Sequence, residues 1–168
     1  MDNPEKIKKD FIVAYDELAD KLFRYCFFKI SDREKAKDLV QDIFVKSWQY
    51  ITSGKEISNI KPFLYKVANN LIIDHYRRSK EISLDSLREK GFDPPSTGER
   101  EILSQAEHSR AVDVLTDLPD KYKEIIIWRI VEGLSPGEIA EILGVSENVV
   151  SVRLNRALKK LRAKMNLE

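Results

Sequence analysis

The chain has 168 residues, enough for one domain or two small ones, each with a modest hydrophobic core. Its composition, 42% hydrophobic and 34% charged, suits a water-soluble globular protein, and a net charge of +1 gives no global reason to bind nucleic acid, so any such reason must come from local clustering. Cys26 is the only cysteine and His75 and His108 the only histidines, which excludes an internal disulfide, suits a reducing compartment and leaves no zinc-ligand spacing.

The N-terminal MDNPEKIKKD is too polar for a signal peptide, and no apolar run approaches membrane-spanning length, so a soluble intracellular protein without direct membrane insertion is expected. Alternation with a period of two is nowhere sustained, while helical periodicity recurs almost throughout. A first long helix carries Phe11, Tyr15, Leu18, Leu22 and Cys26 on one face. A second is predicted to open at a capping box in which Ser31 caps and Glu34 reaches back. Its apolar stripe runs Ala36, Leu39, Val40, Ile43, Phe44, Val45, Trp48 and Ile51.

Pro62 marks the first turn of a third helix, a position proline favours, and the pattern predicts its end at about Lys80. Leu64, Val67, Ala68, Leu71 and His75 form its inner stripe. Lys66, Asn70, Ile73 and Arg77 form an outer one, and Arg77, Arg78 and Lys80 cluster at its end, where the helix dipole favours cations. Residues 83–104 read as a flexible linker: they hold Gly91, Pro94, Pro95 and Gly98, and acidic residues outnumber basic ones from Glu81 to His108. Pro119 is expected to start a further helix that Gly133 ends. The fold class is therefore all-α, with two small helical domains, 1–82 and 105–168, joined by that acidic tether.

The C-terminal domain carries the sharpest motif. Ser135-Pro136-Gly137-Glu138 is a capping box with proline at the first helical position. Ala140 is small enough for a second helix to cross close by, Gly144 stands where the chain must turn through a left-handed conformation, and Ser146 caps the next helix. With a core stripe of Val150, Leu154, Ala157, Leu158 and Leu161, this is a helix-turn-helix. Asn148, Val152, Asn155, Arg156 and Lys159 lie opposite that stripe, with Ser151, Arg153 and Lys160 beside them. From Arg153 to Lys164 there are six basic residues and no acidic one. Amides and arginine can bond base edges, an apolar group can meet a thymine methyl, and lysines can find phosphates.

The run AKDLVQDIFVKSW (36–48), followed by NIKPFLYKVANNLIIDHYRR (59–78), resembles region 2 of the extracytoplasmic-function sigma factors of the sigma-70 family. Residues 118–162, LPDKYKE through RALKKLR, resemble region 4 of the same group. The resemblance implies a bacterial, cytoplasmic transcription-initiation factor with no enzymatic site and no cofactor, one that an anti-sigma factor could hold at the membrane. Its implied partners are core RNA polymerase, through the clamp helices and the flap, promoter DNA, and an anti-sigma factor; a small-molecule substrate is not among them.

Carried onto these positions, Asp38, Gln41 and Asp42 would bind the polymerase clamp, with Phe44 and Trp48 holding their helix to its domain. Ser58, Asn59, Lys66, Asn70 and Arg77 would engage the −10 element as its strands separate. Asn148, Ser151, Val152, Arg153, Asn155, Arg156, Lys159 and Lys160 would read the −35 element. The chain has Phe63-Leu64 where the group often has Trp-Leu. Ser151 and Val152 stand where many members have a basic residue and serine. The tether, in this group, threads a positively charged polymerase channel.

Three other readings compete on the residues alone. Asp38 and Asp42 could be a solvated face, the tether an ordinary solubilising linker, and the C-terminal helices those of a stand-alone regulator. An enzyme is disfavoured, because no nucleophile–base spacing or glycine-rich phosphate loop appears.

Overall fold

The computed structural model describes residues 3–90, 114–115 and 117–166, and the chain divides into two compact units, Met1–Ile102 and Leu103–Glu168. In the first unit, α1 spans Pro4–Ile30, α2 Arg33–Thr52 and α3 Ile60–Lys90, and each packs on the other two. Asn3 caps α1 by accepting the Glu5 N–H at 3.2 Å, with Pro4 at the first helical position.

The α1–α2 corner differs from the expected one. Ser31 does not cap α2. It closes α1 in a left-handed conformation (φ 55°), donating its N–H to the Phe27 carbonyl at 2.8 Å. Asp32 is the cap, extended at φ −128°, and its carboxylate accepts the Lys35 N–H at 3.1 Å. Glu34 pairs instead with Lys37 at 3.1 Å. One residue cannot be left-handed for the outgoing helix and extended for the incoming one, so the two jobs fall to adjacent residues.

The core of this unit is built on Leu22, Cys26, Ala36, Ile43, Leu64, Tyr65 and Ala68, all fully buried. The rings of Tyr25 and Tyr65 meet edge-on at 5.6 Å between α1 and α3. Ser47, also buried, bonds its hydroxyl back to the Ile43 carbonyl at 2.6 Å, so its polar atom is satisfied within α2. Val45, assigned to the inward stripe from its spacing, is 54% exposed. Phe44 and Ser47 take the buried arc, and Val45 lies outside it.

The third helix passes Lys80 and continues to Lys90, because residues 81–90 contain no glycine or proline to stop it; Gly91 is the first. Residues 91–104 of the expected tether lie outside the described residues.

In the second unit, Leu115 and Leu118 are buried ahead of Pro119, which starts the next helix from the cap position. The helix α4 spans Asp120–Ile126 and widens into a π-helical turn over Ile127–Val131, in which the Glu132 N–H reaches the Ile127 carbonyl at 2.9 Å. Ile125, Ile126, Ile127 and Trp128 are buried in succession. Four consecutive residues sweep almost the whole helix circumference, so this segment is enclosed by its neighbours rather than laid on a surface. Gly133 ends it at φ +68°. Then α5, Pro136–Leu143, and α6, Glu147–Lys164, pack on each other; α6 also packs on α4, and α5 on the π-helical turn.

Candidate nucleic-acid interface

The helix-turn-helix forms as its residues dictate. Ser135 accepts the Glu138 N–H at 3.1 Å while the Glu138 carboxylate accepts the Ser135 N–H at 2.8 Å, a reciprocal capping box. Gly144 is left-handed at φ +67°, and the Val145 N–H closes the turn on the Ala140 carbonyl at 3.1 Å. Ser146 caps α6 by accepting the Val149 N–H at 3.3 Å. Ala140 is buried, as a close crossing needs. A second contact was not legible in the sequence: a β-carbon on Gly137 would sit 2.5 Å from Glu147 Oε1, so the Glu147 carboxylate of α6 lies against the first turn of α5.

On α6, Val150 and Ala157 are fully buried, while Leu154, Leu158 and Leu161 are half-buried. Asn148, Ser151, Val152, Asn155, Arg156, Lys159 and Lys160 are exposed, and Arg153 is half-buried at the flank. Val152 is 41% exposed amid polar neighbours. The Lys160 ammonium lies 5.5 Å from the Tyr122 ring centre on α4, an attraction of the cation–π kind that ties it to its own unit.

The first unit presents two further polar faces. Asp38, Gln41 and Asp42 are exposed on α2. Behind them Leu39, Ile43 and Phe44 are buried. Phe44 meets Tyr15 at 4.7 Å and Phe11 at 5.9 Å, and Trp48 meets Phe11 at 5.1 Å, so an aromatic cluster fixes α2 on α1. Val45 follows Asp42 by three residues and Gln41 by four, which puts an exposed apolar group on their face.

Ser58 and Asn59 are exposed in the loop before α3, and Lys66, Asn70 and Arg77 are exposed along α3. Asn59 already has structural work: its side-chain oxygen accepts the Lys61 N–H at 3.3 Å and its backbone carbonyl the Phe63 N–H, capping the helix and leaving its amide N–H groups for a ligand. Arg77 pairs with Asp74 at 3.2 Å, both well exposed. A pair of that kind contributes about 0.3–0.5 kcal/mol, weak enough for a phosphate to take the arginine over. Opposite this stripe, Leu64, Tyr65, Ala68, Leu71 and Ile72 are buried.

Among the described residues, no group of three or more His, Cys, Asp or Glu side chains is placed to hold a metal ion, and no helix is long and apolar enough to cross a membrane.

A helix-turn-helix unit behind a separate helical unit with polar faces of its own is the build of a transcription initiation factor. Residues 14–82 match the family model for Sigma-70 region 2, and residues 109–161 that for Sigma-70, region 4. The chain is 32% identical over 146 residues to the RNA polymerase sigma factor SigV of Bacillus subtilis, covering 87% of this chain and 85% of that protein. It is 34% identical over 158 residues to the RNA polymerase sigma factor YlaC of the same organism, covering 90% and 89%. The structure of the Bartonella quintana sigma factor RpoE, solved with the anti-sigma factor NepR, matches with a TM-score of 0.71 at 24% identity, over 95% of this chain and 99% of that one. CnrH, solved with the cytosolic domain of CnrY, matches with a TM-score of 0.68 at 21% identity, over 95% and 89%; these two likenesses are of fold. The chain belongs to the extracytoplasmic-function sigma factors of the sigma-70 family. Its partners as a sigma factor are core RNA polymerase and promoter DNA.

Proposed function

We propose that the three exposed faces divide the work of promoter-specific initiation among them. Asp38, Gln41 and Asp42 on α2 bind basic groups of the polymerase clamp helices, with Val45 adding an apolar contact. Ser58 and Asn59, with Lys66, Asn70 and Arg77 on α3, hold the −10 element as its strands separate, since single strands are gripped by polar pockets and by cations along the backbone. The helix α6 enters the major groove of the −35 element, with Asn148, Ser151, Val152, Asn155 and Arg156 toward base edges and Arg153, Lys159 and Lys160 toward phosphates. The second unit also meets the flap, the chain beyond α3 joins the two units, and an anti-sigma factor keeps the protein inactive, as the complexes of RpoE with NepR and of CnrH with CnrY support. The chain does no chemistry of its own and works in the cytoplasm.

The observation that carries this reading is that each polar face stands on a helix whose opposite side packs into the core of its unit, through Leu39, Ile43 and Phe44 on α2, Leu64, Ala68 and Ile72 on α3, and Val150 and Ala157 on α6. Packed helices with exposed outward polar groups are what a docking surface requires. Run-off transcription with core polymerase and genomic fragments identifies a promoter. Asp42→Lys, which reverses a charge at an exposed position, is then expected to lower co-elution with core polymerase at least about tenfold, the loss of about 1.4 kcal/mol of contact. Unchanged co-elution at unchanged helicity removes the clamp assignment.

A further inference from the structure

The outward side of α1 is not the uniformly polar face of an ordinary surface helix. Its buried line runs through Ala14, Leu18, Leu22 and Tyr25, where it packs on α2 and α3. Opposite that line, at about 100° per residue, stand Lys9, Ile12, Val13, Asp16 and Asp20, all exposed. Ile12 is 59% exposed and Val13 52%. Either alone would need no explanation. Together they sit at the middle of the face, with a cation on one side and acids on the other. No other part of the proposed initiation machinery uses them.

The order of these residues makes the face complementary to itself. Lys9 and Asp16 are two helical turns apart, so they lie on one line, roughly 10 Å from each other, and the midpoint between them falls between Ile12 and Val13. Among the described residues neither is held in an ion pair. Two copies of α1 laid face to face and antiparallel, about a two-fold axis through that midpoint, set Lys9 opposite Asp16 of the partner subunit twice over. The same operation brings both Ile12 and Val13 pairs together at the centre. It also carries Lys6, on the Val13 side of the face, beside Glu17 of the partner subunit. A parallel pairing would set lysine against lysine and aspartate against aspartate, so charge selects the antiparallel one.

We infer that the outward face of α1 is a self-complementary docking surface through which two copies of this chain pair antiparallel, Ile12 and Val13 at the centre and Lys9–Asp16 pairs to either side. One helix face buries less than about 1,200 Å² in total, the range of weak and transient complexes, so the pairing belongs to concentrated protein. Sedimentation equilibrium of the full-length chain tests it. Wild type should self-associate with a Kd below about 1 mM. Lys9→Asp and Asp16→Lys, both at exposed positions, should each weaken this at least about tenfold at unchanged helicity, because symmetry turns two attractive pairs into repulsive ones. Mixed in equal amounts, the two variants should associate again to near the wild-type value. In a mixed dimer one chain offers two acids and the other two bases, so both pairs regain opposite signs. Ile12→Glu should abolish pairing, and neither charge variant should rescue it. A wild type that stays monomeric up to about 1 mM overturns the inference. A dimer indifferent to all three changes, or a mixture that associates no better than its components, overturns it as well. So does a loss of co-elution with core polymerase for Lys9→Asp while wild type is monomeric, which would make the face a polymerase contact.

Discussion

Gly144 lets one backbone angle be tested for both stability and promoter use. It sits at φ +67°, ψ 35°, and a β-carbon built there meets nothing within 4 Å. Substitution therefore costs conformation and not space. A β-carbon in the left-handed region costs about 1–2 kcal/mol, while alanine for glycine recovers about 0.4–1 kcal/mol by restricting the unfolded chain. Gly144→Ala should thus destabilise the second unit by roughly 0.5–1.5 kcal/mol, which for a unit of this size is on the order of 4–8 °C per kcal/mol. Gly144→Asn should cost less, because asparagine tolerates this region, and Gly144→Val more, because a branched β-carbon does not. Trp128 is fully buried in that unit and Trp48 lies in the other, so Trp48→Phe, which keeps an aromatic ring against Phe11, leaves Trp128 fluorescence as the local reporter. Denaturant midpoints in that background give the order Val, Ala, Asn from worst to best. If all three equal wild type, or if asparagine is the most damaging, the turn is not left-handed in solution. Transcription that depends on the −35 element should fall in the same order and recover on cooling.

Other consequences are more local. Gly137→Ala is expected to be neutral or stabilising by up to about 1 kcal/mol, because the atom its β-carbon meets is the far end of the Glu147 side chain, which can swing aside; thermal unfolding checks it, and a clear loss would mean that the carboxylate is held in place. Arg156→Ala should relax selection at one position of a −35 library, a base-edge contact being worth about 1–3 kcal/mol, whereas Lys159→Ala should weaken all sequences evenly. Equal loss on every promoter for Arg156→Ala would make it a phosphate contact. Amide exchange should be slowest around Leu64–Ile72, which are largely buried on α3; faster exchange there than at the exposed end of α3 would contradict this core.

What the sequence made legible was local and periodic. Both capping residues of the helix-turn-helix, the left-handed Gly144 and the outward face of α6 follow from spacing and from side-chain chemistry within one or two turns. What it hid was competition between neighbours. Ser31 satisfies the pattern of a helix start, yet the preceding helix needs it as an end, and Asp32 caps as well. Val45 fits an apolar stripe that is one residue too wide, and only packing decides which edge of the arc is buried. The meeting of Gly137 with Glu147 joins residues on two helices, and no pattern within one helix announces it.

The same competition changes how the charge on α6 is counted. Six cations between Arg153 and Lys164 suggest a uniformly basic helix. In the folded unit they are sorted. Arg153 is half-buried, Lys160 lies over Tyr122, and Lys164 donates to the Asp117 carbonyl at 3.3 Å. Arg156, Lys159 and Arg162 are exposed and, among the described residues, have no such contact to give up. A cation already held by its own protein gains less from a phosphate, because it loses that contact or shares it. Arg156 and Lys159 are also three residues apart, and so neighbours on the helix surface, with Asn155 and Val152 alongside. Exposed charge and the groups proposed to read bases therefore coincide on one strip of α6, while Lys160 and Lys164 help to fasten the helix to α4 and to the segment before it. On the proposed reading, the helix is basic along its length because it has both a unit to join and a groove to enter.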